Sequence, residues 1–183
     1  MRSLLFIFVA VIVISAPGAA QTNNQSKDAR AAVNKFFLLL KSKSYPSLYE
    51  FLPSELQRQI TPEQFAMSLM RLNSFITIER MEVGRVQQRG DFAVINTTIY
   101  GKLKKPVTVN GEQVSEGRVA AQQFLLREGG QWKVVTADNR TQSYFLKRNA
   151  EFGKQFHLIQ PKFEFKQQDR WAPIVKPVKP EGK

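Results

Sequence analysis

Asn96, Tyr100, Gln122 and Gln123 are the side chains whose types and spacing could line a ligand pocket. Amide and phenol groups on neighbouring β-strands hydrogen-bond a bound molecule or one another in a cross-strand ladder, and the ladder is the commoner fate of polar strand residues. Catalysis would require a carboxylate base or a nucleophile relay beside them. The nearby acids do not converge: Glu79 and Glu82 flank an irregularity in one strand, Asp91 and Glu128 adjoin turns, and Glu112 and Glu116 lie on a projecting hairpin. Asp138 follows the last of the central strands, where a turn or cap role outranks that of a base. One histidine, His157, and no cysteine supply no zinc or redox site of the usual kind. No phosphate-binding glycine loop, dinucleotide fingerprint, nucleophile elbow or calcium loop occurs. No cofactor or metal is expected, and no residue is assigned a catalytic role.

The elements that must position these residues lie between Phe75 and Ala137. Four runs rich in β-branched and aromatic residues read as antiparallel strands: Phe75 to Val86, Phe92 to Leu103, Arg118 to Glu128 and Gln131 to Ala137. Gly90-Asp91 and Gly129-Gly130 close the first and last pairs, and Val107 to Val114, tipped by Asn110-Gly111, reads as a smaller projecting hairpin. Side chains alternate between faces along a strand. Ala93, Ile95, Ile99 and Leu103 form an apolar row, while Phe92, Val94, Asn96, Thr98 and Tyr100 form a mixed one. The phase slips at Glu79-Arg80, which predicts a β-bulge and a curved sheet.

Helices flank this sheet on both sides in the sequence. Ser26 reads as an N-cap with Asp28 in the first turn, and Ala29, Ala32, Val33, Phe36, Phe37 and Leu40 recur at helical spacing. Lys27, Arg30, Lys35, Lys41 and Lys43 read as the solvated face of that helix. Tyr45-Pro46 interrupts the pattern before a short helix over Ser47 to Leu52. Thr61-Pro62-Glu63-Gln64 is a capping box with proline at the first helical position, Ile60 and Phe65 form a hydrophobic staple, and the helix to Leu72 turns Phe65, Leu69 and Leu72 inward. After the strands, Asp138-Asn139 caps a helix from Arg140 to Phe152 stopped by Gly153, docked by Phe145, Phe152 and Phe156; alternatively Thr141 to Leu146 extends the fourth strand. From Pro161 onward the Pro- and Lys-rich chain reads as an extended tail without a core.

In this order of elements the chain resembles the nuclear transport factor 2-like superfamily, the cone-shaped, cystatin-like α+β domains that include ketosteroid isomerases and many small exported bacterial domains. The resemblance rests on Val33-Asn-Lys-Phe-Phe-Leu38, Tyr45 to Leu52, Leu56 to Phe65, Gly90-Asp-Phe-Ala-Val-Ile95 and Gly130-Gln-Trp-Lys-Val-Val135, and spans residues 27 to 137. It implies N-terminal helices packed on a curved four-stranded antiparallel sheet. By analogy it also implies a sheet-to-sheet homodimer, and it does not single out one function.

Residues 1 to 20 have the make-up of an export signal cleaved after Ala20, with an uncleaved anchor as the alternative: Arg2, the apolar run Leu4 to Ile14, and small residues to Ala20. The expected division is signal 1–20, lead-in 21–26, α+β domain 27–156 and basic tail 157–183. Without Arg2 the chain holds 26 basic and 15 acidic residues, a net charge of +11, which favours anionic partners. Export and the lack of a recognition motif argue against nucleic acid. Three functional readings follow. The first is a non-enzymatic binding or interaction module of the bacterial envelope, holding a small hydrophobic ligand or an anionic envelope component. The second is a small-molecule enzyme like the isomerases or dehydratases, using Tyr100 or Asp138. The third is a binder of anionic surfaces through Lys162, Lys166, Arg170, Lys176 and Lys179 of the tail.

Overall fold

A computed structural model describes residues 19–109 and 111–173, with the backbone alone described for 19–25. Residues 1–18 of the expected signal, the hairpin-tip residue Asn110, and Lys176 and Lys179 of the expected tail lie outside the described residues. The element order is α1 (Ala19–Lys41), α2 (Tyr45–Tyr49), α3 (Ser54–Gln57), α4 (Pro62–Phe75), β1 (Ile76–Arg89), β2 (Phe92–Val109), β3 (Glu112–Glu128), β4 (Gln131–Val135), α5 (Asn139–Arg148), α6 (Ala150–Gln155), β5 (Lys162–Gln167) and β6 (Arg170–Pro173). This is an α+β fold on one antiparallel sheet, ordered β1-β2-β3-β5-β6. β4 shares the β3 edge with β5: it pairs with residues 124–128, while β5 pairs with residues 117–120.

The sheet has six described strands rather than four, because the expected tail forms a hairpin on β3. Phe163-Glu164-Phe165-Lys166 alternates apolar and charged residues, the period of a half-buried strand, and its neighbour Gln167 meets Arg170 across a turn in which Gln168 and Asp169 take positive φ. α1 also begins earlier than expected. Ser26 lies inside the helix and not at its cap, since after Pro17 and Gly18 no breaker precedes it. Pro46 opens α2 from its first turn, where a missing N–H costs nothing, instead of interrupting the chain before it. The α5 helix ends at Arg148, and Asn149 separates it from α6, which runs through Gly153.

Other expectations match the structure. Thr61 Oγ1 accepts from the Gln64 N–H at 3.3 Å while Gln64 Oε1 accepts from the Thr61 N–H at 3.1 Å, the reciprocal box that starts α4. Phe65 is buried beneath α4, although Leu72, expected inward, is exposed. Phe145, Phe152 and Phe156 are buried, and the Phe152 ring stands 4.9 Å from Phe124 and 5.4 Å from Phe92. The α5–α6 pair therefore covers only the Phe92, Val94 and Phe124 end of one sheet face. The other face carries Ile95, Ile99 and Leu125 into the cluster formed with Val33, Phe36, Leu40, Leu48 and Leu52 of the N-terminal helices.

β1 carries two irregularities. Ile78 pairs with Gly101 and Arg80 with Tyr100, so Glu79 is the extra residue that the phase slip predicts. A second shift lies between Val83 and Val86, with Gly84 and Arg85 facing only Asn96 across the ladder. Bulges leave carbonyl groups outside the ladder, and unpaired carbonyls need donors. α1 supplies them: Arg30 donates to the Val83 and Gly84 carbonyls at 2.7 and 2.6 Å, and Lys41 donates to the Glu79 carbonyl at 3.0 Å. Lys41 is exposed as a solvated face requires and Arg30 is half-buried, but both also fasten α1 to the two bulges of β1.

Candidate functional site

Cross-strand partners share a face of a sheet, so the register assigns one. Arg80 and Glu82 on β1, Asn96, Thr98 and Tyr100 on β2, Arg118, Ala120 and Gln122 on β3, and Lys162 and Glu164 on β5 are joined by direct pairings such as Glu82 with Thr98, Asn96 with Gln122, Tyr100 with Arg118 and Arg118 with Glu164. This is the face that α5 and α6 leave uncovered beyond Val94. Trp171 on β6 completes it, opposite Lys166.

The four expected pocket residues do not form one site. Gln123 pairs on the opposite face, where it is buried and donates to Thr97 Oγ1 at 3.3 Å, while Thr97 donates to the Ala121 carbonyl. Gln122 is a staple. Its Nε2 donates to Asn96 Oδ1 at 3.4 Å and to the His157 carbonyl at 3.3 Å, and its Oε1 accepts from the Ile159 N–H at 3.0 Å. It holds the connector between α6 and β5 against the sheet. Both glutamines thus take up the cross-strand role. Asn96 and Tyr100 remain on the open face.

Around Tyr100 the face is a network of stacked and paired charges. Tyr100 Oη donates to Glu82 Oε2 at 3.0 Å, Arg80 pairs with Glu82, and the Arg80 guanidinium lies 3.5 Å from the Tyr100 ring centroid. On the other side Arg118 Nε donates to Glu164 Oε2 at 2.7 Å, Lys162 reaches Glu164 Oε1 at 2.9 Å, and the Arg118 guanidinium stands 4.7 Å over the Trp171 ring. The two rings meet edge to face at 5.7 Å, which joins the halves. Glu164 is buried, so an unpaired charge there would be costly; two cations satisfy it. Hydrogen bonding from Arg118 and then Lys162 holds its carboxyl below the ordinary value, and hydrogen bonding from Arg80 and then Tyr100 does the same for Glu82. Both carboxylates are therefore ionised and engaged as acceptors at neutral pH, the reverse of the raised proton affinity that a general acid needs.

Beside this network lies a shallow hollow of about 260 Å³, lined by Glu82, Gly84, Asn96, Thr98, Ala120 and Ile159 among others. Its walls are amide, hydroxyl and small apolar groups. Asp138, the other residue considered for chemistry, is the N-cap of α5: it accepts from the Thr141 N–H at 2.9 Å and from Thr136 Oγ1 at 2.7 Å. The expectation of a free basic tail also changes, since Lys162 is paired with Glu164, and Lys166 with Glu116 and Asp169. Arg170 is exposed in β6. The residues that sequence reasoning missed are Arg118, Glu164 and Trp171. The signal that could have found them is the Phe163 to Lys166 alternation, which puts Glu164 on the polar side of a strand.

Among the described residues no helix is long and apolar enough to cross a membrane, and no group of His, Cys, Asp and Glu is placed to hold a metal ion. No protein-family model matches the chain, and no curated protein is significantly similar to it.

Proposed function

We propose that the protein is a non-enzymatic interaction module of the bacterial envelope, exported by its N-terminal segment, and that its open sheet face is the surface that engages a partner. The observation that carries this reading is the Arg80–Glu82–Tyr100–Trp171–Arg118–Glu164 network: Arg80 and Glu82 are exposed, Tyr100, Trp171 and Arg118 are half-buried over a buried Glu164, and each acid is already tied to a cation. A prearranged surface of arginines and aromatics gives large contact area at low ordering cost, which is how interfaces obtain affinity. The adjoining hollow is open and mixes apolar surface from Val83, Ala120 and Ile159 with the polar groups of Asn96 and Thr98, which suits the surface of a macromolecule or polymer better than an engulfed small molecule. The net charge of +11 without the leader favours the same partners.

The nuclear transport factor 2-like architecture is the fold-level part of the proposal. Helices followed by an antiparallel sheet support it, and the two register shifts in β1 are the device by which such a domain would curve its sheet, although the six described strands form a sheet that is not curled. The isomerase-like reading finds less support, because Glu82 and Glu164 are already committed to cations and hydrogen-bond donors, which leaves neither poised to take a proton from a substrate.

Co-sedimentation of the purified chain with isolated envelope polymer, together with turnover assays on isomerase and hydrolase substrates, tests the reading. The expected result is retention that falls in the Tyr100→Ala and Trp171→Ala variants, with no saturable turnover. Saturable turnover abolished by Glu82→Gln would overturn it.

A further inference from the structure

A second charged feature lies away from the sheet face, where the end of α1, the end of α4, the start of β1 and the outer half of β2 meet. Lys41, Lys43 and Lys104 line a hollow of about 60 Å³ together with Asn73 and Thr77. By the measure of about 10–15 Å³ per water such a space holds a few waters, and so one tetrahedral oxyanion. Asn73 enters it with its amide already fixed, since Nδ2 donates to Tyr45 Oη at 2.9 Å. Lys43 is held in a left-handed conformation at φ 59° by the turn that ends α1, where its N–H donates to the Leu40 carbonyl.

Lysines near helix C-termini often do no more than answer the helix dipole, so the balance of charge decides. Two helix ends contribute roughly half a negative charge each, about −1 in all, against three ammonium groups. Glu79, the acid next to the lining residue Ile78, is taken by Lys102 at 3.3 Å, and Lys41 spends one donor on the Glu79 carbonyl. Neither the Lys43 nor the Lys104 ammonium has a hydrogen-bond or ion-pair partner among the described residues. About two positive charges remain uncompensated at one hollow drawn from α1 and the turn after it, α4, β1 and β2. From this we infer that the hollow is a binding site for a phosphate-type oxyanion of one to two negative charges, held by Lys43 and Lys104 with Lys41 and the polar groups of Asn73 and Thr77 around it. Free phosphate and the headgroup of an anionic phospholipid share this chemistry.

The test is a titration of the full chain, at fixed ionic strength, with inorganic phosphate and separately with vesicles of phosphatidate in phosphatidylcholine, followed by amide and lysine-ammonium NMR shifts. The variants are Lys43→Gln/Lys104→Gln and Lys43→Arg/Lys104→Arg. Both positions are exposed, so both variants are expected to keep the wild-type thermal midpoint. Saturable shifts at residues 41–43, 73–77 and 104 that weaken by about tenfold or more in the glutamine pair, as expected from the loss of two charges near the ligand, and persist in the arginine pair support the site. A response to phosphate identifies a small oxyanion as sufficient, and a response to phosphatidate vesicles alone identifies the lipid headgroup. Shifts that are equal in wild type and the glutamine pair, or that follow ionic strength without saturating, would overturn it. The sheet-face reading stands apart from this result, because Tyr100 and Trp171 are untouched in these variants.

Discussion

Arg30 is the residue whose role the sequence conceals most completely. Placed by helical spacing among lysines, it reads as surface charge, yet its guanidinium donates to two carbonyls of the β1 bulge. Periodicity along one helix carries no information about unpaired carbonyls in another element, so only the fold reveals the match. Hydrogen bonds from charged donors are worth about 1.5–3 kcal/mol each. Arg30→Ala is therefore expected to lower the stability measured by urea unfolding by about 2 kcal/mol or more, whereas Lys27→Ala, an exposed neighbour, stays within about 0.5 kcal/mol. Equal effects would show that the bulge carbonyls do not depend on Arg30. Glu164 gives a second prediction at this scale. Its folded carboxyl titrates below its ordinary value of 4.5, so the stability it contributes is fully present above that pH and is lost as pH falls through the lower folded value. Acid unfolding of wild type should become steeper below pH 4.5, and Glu164→Gln should remove that component while lowering stability at neutral pH by leaving Arg118 unpaired.

At the scale of elements, legibility followed how local the determining signal is. The capping box of α4 is written in four consecutive residues and forms as expected; Thr61→Ala should cost about 1 kcal/mol in unfolding free energy. The Glu79 bulge was legible too, because a bulge shifts the apolar phase within a single strand. The second bulge was not, since Gly84 and Arg85 carry no alternation to break. The C-terminal hairpin was lost to composition: Pro173, Pro177 and Pro180 read as a tail, and that masked the alternating residues before them. Close packing supplies an element-level prediction where β1 crosses β2. A Cβ on Gly101 would lie 2.7 and 2.8 Å from the Ile76 side chain and 2.8 Å from the Thr77 carbonyl. Because backbone must shift to admit it, Gly101→Ala is expected to destabilise by about 1–3 kcal/mol, read as a lower denaturation midpoint. A midpoint equal to wild type would place β1 further from β2 than this.

For the whole molecule, the consequence of six strands is that the C-terminal segment belongs to the core architecture. β5 satisfies the β3 edge at Gly117–Ala120 and brings Glu164 to Arg118. A chain ending at Gln160 is accordingly expected to melt below one ending at Pro173 and to lose its pairing at that edge, so truncation cannot be used to isolate a tail function. The helices and the sheet assemble a molecule with one face buried under α1 to α4 and the other covered at only one end, and this asymmetry is the basis of the proposed interaction surface. Hydroxyl-radical footprinting of the full chain, with and without isolated envelope polymer, tests it most directly. The account predicts that Tyr100 and Trp171 become protected while the exposed Met67, Met70 and Phe75 of α4 keep their labelling. Protection of the α4 residues with Tyr100 and Trp171 unchanged would contradict it.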